Sequence, residues 1–317
     1  MTFLLTVMRI LASVAAVALL GLATYWSLRL GYADRLAHTD SPENVRRAAA
    51  LAPGEARYRA RLAALLDQWG NDPRASAAAL EEAVARNPRD SASWMELGLR
   101  AEMEGDLTKA ERSLLQAARV DKQYDPRWAL ANFYFRRDDA ENFWLWAREA
   151  APMSYSDAAP LFRLCWRVTQ VPEVILNRAI PDQPAVLARY LSFLLADNHV
   201  EAIEAAAQRV AGRAGREDLP VLLASCDRLL EARQFPAALR IWTVLCQRKL
   251  VPYQAPEPER GLSLTNGDFR TPPLSYGFDW RLHAVEGVSA SRSESPPVRR
   301  WTFSGRQPES CEILSQY

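Results

Sequence analysis

Between Ser41 and Leu250 the chain keeps repeating one arrangement: a helix-length apolar pattern, a short polar turn, then a second such pattern. The turns fall at Gly70-Asn71, Gly105-Asp106, Asp138-Asp139, Asn198-His199 and Arg233-Gln234. The first three are about 34 residues apart, as are the last two, a period that fits one pair of antiparallel helices. A helix pair of that size cannot bury its apolar face alone, so such units must stack on their neighbours. A mainly α array of helix pairs over residues 41–250 is therefore the expected core of the fold. Ala and Leu dominate it and Gly is scarce, as packed helices require.

The unit beginning at Ser91 carries the fullest pattern. Trp94, Leu97, Gly98 and Ala101 lie on one helix, Glu104-Gly105-Asp106 turns the chain, and Ala110, Leu114 and Ala117 follow on the next. Small residues are needed where two helix backbones approach, so Gly98 and Ala110 serve as notches between Trp94, Leu97 and Leu114. Gly105 suits the end of the first helix. This spacing resembles the tetratricopeptide repeat, W-x2-L-G-x2-Y followed by A-x3-F and A. Ala101 stands where that pattern has Tyr, and the closing proline comes late, at Pro126. Neighbouring units follow by period: Tyr58, Leu62, Leu65, Leu80 and Ala83 before it, Trp128, Ala131, Phe135, Phe143 and Ala147 after it. Later pairs run over residues 185–214 and 217–250. Pro160, Pro172, Pro181 and Pro184 mark the stretch from Pro152 to Pro184 as a degenerate repeat with shortened helices.

The resemblance implies a protein-binding scaffold in which the first helix of each pair lines a concave surface. Arg59, Glu96, Arg100, Asn132, Arg136 and Arg189 are the polar residues expected to be exposed there and to meet a partner. The aromatic cluster Trp128, Phe133, Tyr134, Phe135, Phe143, Trp144 and Trp146 has helical spacing, which assigns most of it to packing. Trp144 and Trp146 fall on different helix faces, so at least one of them is expected at the surface.

The N-terminal segment has a different character. Ile10 to Trp26 carries no charge over 17 residues and shows no polar face. Its length meets the lower limit for crossing a bilayer, and Tyr25 and Trp26 stand where an interfacial aromatic belt would fall. Two readings are open: an uncleaved signal anchor over residues 1–30, or a signal peptide cut near Gly21 and Ala23. The run exceeds the usual apolar core of a cleaved signal, which favours a single-pass membrane anchor. Arg9 on one side and Arg29 and Arg35 on the other leave orientation undecided by charge.

After Leu250, Pro252, Pro256 and Pro258 make a linker over 251–261 that cannot be helical. Asn266-Gly267-Asp268-Phe269 and then Gly277-Phe278-Asp279-Trp280 resemble the opening of a galactose-binding-like jelly roll of carbohydrate-binding modules. Those modules begin N-G-D-F-E, and Arg270 here replaces the Glu. Far fewer residues follow Gly261 than such a fold requires, so residues 262–317 are expected to form an incomplete β-sandwich with unpaired edges. Trp280 and Trp301 are the residues that would stack on a sugar. A tethered sugar-binding-like segment suggests polysaccharide as a second partner, an extracytoplasmic (periplasmic) location, and a role in cell-envelope polysaccharide assembly or export. The alternative is a carbohydrate-binding protein with the repeats as its stalk.

Enzyme chemistry is not expected. Hydrophobic residues make up 49% and charged residues 24% of 317 positions, an ordinary globular balance, and the formal net charge is +1. That charge gives no global attraction for nucleic acid. His38, His199 and His283 have no ligand-spaced neighbours, and there is no phosphate-binding loop or nucleophile elbow. Cys165, Cys226, Cys246 and Cys311 form no C-x-x-C pair and suit buried apolar positions. No cofactor and no metal is expected.

Overall fold

The computed structural model describes residues 2–70, 72–154, 157–261, 264–294 and 297–317. The chain divides into two compact units, Met1–Arg137 and Asp138–Tyr317. The first unit contains α1 (Thr2–Ala37), α2 (Pro42–Leu51), α3 (Ala56–Leu65), α4 (Pro73–Arg86), α5 (Ser91–Met103), α6 (Leu107–Val120) and α7 (Tyr124–Arg136). The second contains α8 (Ala140–Ala150), α9 (Ala159–Val168), α10 (Pro172–Arg178), α11 (Pro184–Ala196), α12 (Val200–Ala211), α13 (Leu219–Glu231) and α14 (Phe235–Gln247). The fold is mainly α, a series of helix pairs, followed among the described residues by four short strands.

Local chemistry explains the helix boundaries. Asp72, Asp90, Asp106 and Asp139 each sit at an N-cap and accept a hydrogen bond from the backbone amide three residues on. Between successive helices the chain turns through one left-handed residue: Gly105, Asp138, Asn198 and Arg233 all have positive φ. The following amide then reaches back five residues, as Asp106 does to Ala101, His199 to Leu194 and Gln234 to Leu229. The turns read from the sequence at these four places are therefore true helix stops. The fifth, at Gly70-Asn71, reaches outside the described residues. There α3 passes into a π-helical turn over Leu66–Gly70.

The core of the first unit fills as the repeat pattern requires. Leu62, Leu65, Leu80, Val84 and Leu97 are buried together, with Trp94 packed against them. At Gly98 an added Cβ would stand 2.8 Å from Leu114 Cγ and 3.2 Å from the Ala110 carbonyl, so the small residue is a packing necessity. In the second unit Phe162 meets Tyr190 edge-on and Phe193 at a tilt, and His199 stacks on Trp166 at 3.9 Å. The degenerate stretch has short helices as expected. Pro160 and Pro172 fall in the first turns of α9 and α10, where a missing amide hydrogen costs nothing.

The sequence separates an anchor ending near residue 30 from repeats starting at 41, but α1 runs unbroken to Ala37. No proline interrupts it, and Gly31 alone does not stop a helix. Every described residue from Met8 to Leu28 is exposed, and Met8–Ala37 is long and apolar enough to cross a membrane. From Ala33 onward the same helix turns inward. Ala33 and Ala37 are buried with Ala48, Ala49, Ala52 and Tyr58, so the end of α1 pairs with α2.

The last segment contains β1 (Arg281–Leu282), β2 (Val288–Glu294), β3 (Pro297–Phe303) and β4 (Leu314–Ser315). β2 and β3 form an antiparallel hairpin, and β1 pairs antiparallel with β4. Among the described residues these are two separate two-stranded ladders.

Candidate functional site

Of the six residues assigned to a binding face, Arg100, Arg136 and Arg189 reach across to a neighbouring helix pair, which sequence alone did not show. Residues one period apart are lateral neighbours in a helix-pair stack, so a long side chain can reach the equivalent helix next door. Arg136 donates to Glu102 through Nε at 2.7 Å and Nη2 at 2.6 Å. Arg100 reaches Asp67 and the Pro73 carbonyl. Arg189 donates to the carbonyls of Ser154 and Ala151. Arg59 pairs with Glu82 at 2.8 Å, on the partner helix of its own repeat. Asn132 turns back to the Trp128 carbonyl at 2.9 Å.

Two expectations are thereby corrected. Arg59 and Arg100 are 7% and 5% exposed, not surface residues. Each guanidinium is drawn in because it satisfies a carboxylate between packed helices while its alkyl stem covers apolar surface. Arg189 is half-buried for the same reason. Glu96 and Arg136 are exposed, and Arg136 is engaged by Glu102.

Other arginines act alike. Arg86 donates to the Pro53 carbonyl at 2.8 Å, Arg148 to Asn177 at 3.0 Å and Arg248 to Ala211 at 2.8 Å. Carbonyls at a helix end lack intrahelical partners and carry partial negative charge, so a guanidinium is their natural cap.

Among the described residues of the first unit, one face of α5 exposes apolar side chains at helical spacing. Ala92, Glu96, Leu99 and Met103 recur at helical spacing and all are exposed; Met103 is 78% exposed. Leu99 and Met103 were missed in the sequence, although the phase that puts Leu97, Gly98 and Ala101 inward also puts these two outward. Trp94 borders the core, with Nε1 donating to the Pro88 carbonyl. Of the aromatic pair, Trp144 is buried and Trp146 is half-buried.

The C-terminal segment is not free of the helices. Gly277, at φ +59°, lies so close to Trp242 of α14 that an added Cβ would overlap its ring at 2.2 Å. Phe278 and Tyr253 meet the same indole, each at 6.0 Å between centroids. Asp227 of α13 accepts from the Gly277 amide and from Arg281, both at 2.6 Å. Burial raises the Asp227 carboxyl above its ordinary value, against the lowering effect of those two donors. Asp279 is fully buried and holds the Tyr253 hydroxyl at 2.7 Å and the Leu274 amide.

Trp280 and Trp301 come together, but with Phe269 rather than with open space. Phe269 stacks on Trp280 at 5.4 Å and meets Trp301 edge-on at 6.3 Å. Trp280 Nε1 donates to the Asn266 carbonyl. Beside them a cleft of about 870 Å³ runs between 252–261 and 264–271. Its charged walls are neutralised internally by Arg260 with Glu257 and Arg270 with Asp268.

Among the described residues no three His, Cys, Asp or Glu side chains are placed to share a metal ion. Cys165, Cys226 and Cys246 are buried thiols with pKa values pushed up by burial, Cys246 to about 11. Protonated at neutral pH, they are poor nucleophiles.

No family model matches the chain, and no curated protein matches it. Solved structures do. YrrB, a tetratricopeptide repeat protein with an unusual peptide-binding site, aligns over 66% of this chain and 100% of its own, with 10% identity and a TM-score of 0.34. The pilF protein of Pseudomonas aeruginosa aligns over 71% and 90%, with 17% identity and a TM-score of 0.28. PilW, a widely conserved type IV pilus biogenesis factor, aligns over 61% and 93%, with 14% identity and a TM-score of 0.27. At scores this low neither partner nor activity passes to this chain.

Proposed function

We propose that this chain is a single-pass, membrane-anchored scaffold that binds a protein through its helix pairs and acts by binding rather than catalysis. One observation carries the reading: α1 exposes an uncharged apolar surface from Ile10 to Leu28 and then becomes a packed member of the first helix pair. Exposing such a surface to water is costly, and a bilayer removes the cost. The protein-binding face is the open stripe of α5, where Leu99 and Met103 offer apolar contact beside Glu96. Met103 suits adaptable binding surfaces because its side chain is flexible and polarisable.

The repeats lie on the extracytoplasmic side, and the partner belongs to cell-envelope polysaccharide assembly or export. This finer reading rests on the C-terminal likeness to a sugar-binding jelly roll. Direct sugar binding by the chain itself is the weaker alternative, since Phe269 covers a face of Trp280.

A photo-crosslinker in place of Met103, in native cells, tests the scaffold. A defined protein adduct at 103, absent at Arg112 on α6 and abolished by Leu99→Glu, is the expected result. Equal adducts at both sites, or none, would remove α5 as the binding face. Protease applied before and after the outer barrier is opened tests sidedness; protection until the inner membrane dissolves would put the repeats in the cytoplasm.

A further inference from the structure

The continuity of α1 fixes more than an anchor; it fixes how the first unit stands on the bilayer. Charge sets the depth. Arg9 and Arg29 bracket an uncharged stretch, Ile10 to Leu28, and the twenty residue steps between them span about 30 Å, one hydrocarbon core. Arg29 therefore marks the outer boundary of the hydrocarbon, with Tyr25 and Trp26 just inside it. Its guanidinium lies 4.9 Å over the Trp26 ring, and its Nε donates to the Leu51 carbonyl at 2.8 Å. The turn that follows α2 is thereby held at headgroup depth.

From that turn a chain of bonds leads along one edge of the unit. Arg86, at the end of α4, donates to the Pro53 carbonyl, tying the turn over 86–90 to the turn over 51–55. Ser91, at the start of α5, donates to Asp121 at 3.0 Å, tying the next turn to the same edge. The helices agree. Arg57 and Tyr58 reach Asp34 while Arg61 reaches Asp40, so α3 runs parallel to α1. Arg136 meeting Glu102 joins the last turns of α7 and α5, so those two run parallel as well. If α1 crosses the membrane near its normal, the helices stacked beside it stand near that normal too.

We infer that the first unit lies along the membrane, with the edge bearing residues 51–55, 86–90 and 121–123 on the lipid headgroup layer and the edge bearing Glu104–Asp106 facing away. The inference rests on the anchor reading above. Basic and acidic residues alternate on the lower edge, Arg86 and Arg89 against Asp90, Lys122 against Asp121. The contact is therefore set by the geometry of α1 rather than by attraction to anionic lipid. Standing the stack away from the bilayer would require a sharp bend between Trp26 and Ala33, and α1 is one helix without proline.

The test uses the full chain with Cys311→Ser, which leaves three buried cysteines, in vesicles of phosphatidylcholine and phosphatidylglycerol. Single cysteines at Gly54, Arg89 and Lys122, or at His38 and Glu104, carry a fluorophore, and a headgroup-nitroxide lipid serves as quencher. The expected result is that the first three lose most of their fluorescence and the other two keep it. Flotation with the vesicles but quenching at Gly54 alone, or equally on both edges, would overturn the arrangement and leave the anchor standing. Failure of the protein to float with vesicles would overturn the anchor reading and this inference with it.

Discussion

Arg136 and Glu102 are 34 residues apart in sequence and face each other through two parallel hydrogen bonds of 2.7 and 2.6 Å. The geometry is the strong bidentate one, but Arg136 is 44% exposed at its side chain, and solvent screens such a pair. A double-mutant cycle on Arg136→Ala and Glu102→Ala, read by urea unfolding, should give a coupling of about 1 kcal/mol or less. Arg100→Ala should cost more, about 1–3 kcal/mol, since it strips a buried donor from Asp67 and the Pro73 carbonyl. A larger coupling at the exposed pair than the loss at Arg100 would reverse this ranking.

Gly98→Ala should destabilise the first unit by about 1–3 kcal/mol, because its Cβ would press on fully buried Leu114. Leu114→Ala alone should cost about 2–5 kcal/mol by leaving a cavity. The double variant should be less damaging than the sum, since the new methyl enters the space just vacated. Thermal unfolding of the three variants decides it; strict additivity would mean that the two residues do not share a packing site.

Gly277→Ala should release the C-terminal segment from the last helix pair while leaving helix content intact. Both its left-handed backbone and its distance to Trp242 oppose a side chain there. Tryptophan fluorescence should change, and limited proteolysis should cut faster between residues 254 and 276. An unchanged cleavage pattern would show that the seat on Trp242 does not hold the segment.

Two aspartates of the second unit should titrate with opposite consequences. The Arg163 guanidinium holds Asp197 below its ordinary 3.8. Its stabilising contribution is complete above that value and is lost as pH falls through the depressed one. Burial raises Asp227 above 3.8, so in the window above it the folded chain keeps a proton that the unfolded chain has lost. Stability from this group falls as pH rises through that window. Melting temperature followed against pH should lose part of its acid decline in Arg163→Ala and part of its fall above pH 3.8 in Asp227→Asn. Parallel curves for wild type and both variants would contradict these assignments.

The helix pairs were legible because turn chemistry and apolar phase agree at Gly105, Asp138, Asn198 and Arg233, each a left-handed stop between amphipathic helices. The binding face was less legible. Arg59, Arg100 and Arg189 look like solvated charges in a one-dimensional pattern, and only stacking brings a carboxylate or carbonyl into their reach. Leu99 and Met103 could have been found from helical phase, and were overlooked because apolar residues are expected to be inside. The extension of α1 to Ala37 was hidden by the polar residues Arg29, Asp34 and Arg35, which look like the end of an anchor, although Arg29 and Asp34 dock the helix on α2 and α3.

Arginine contacts spaced by one period also constrain how such a gene can change. Inserting or deleting a few helical residues between an arginine and the carbonyl it caps would move that cap out of reach, Arg86 from Pro53 or Arg248 from Ala211. A whole unit added or removed keeps each guanidinium opposite an equivalent carbonyl. Descendants of this chain should therefore differ in length by complete repeats, with smaller insertions confined to the turns that no arginine spans.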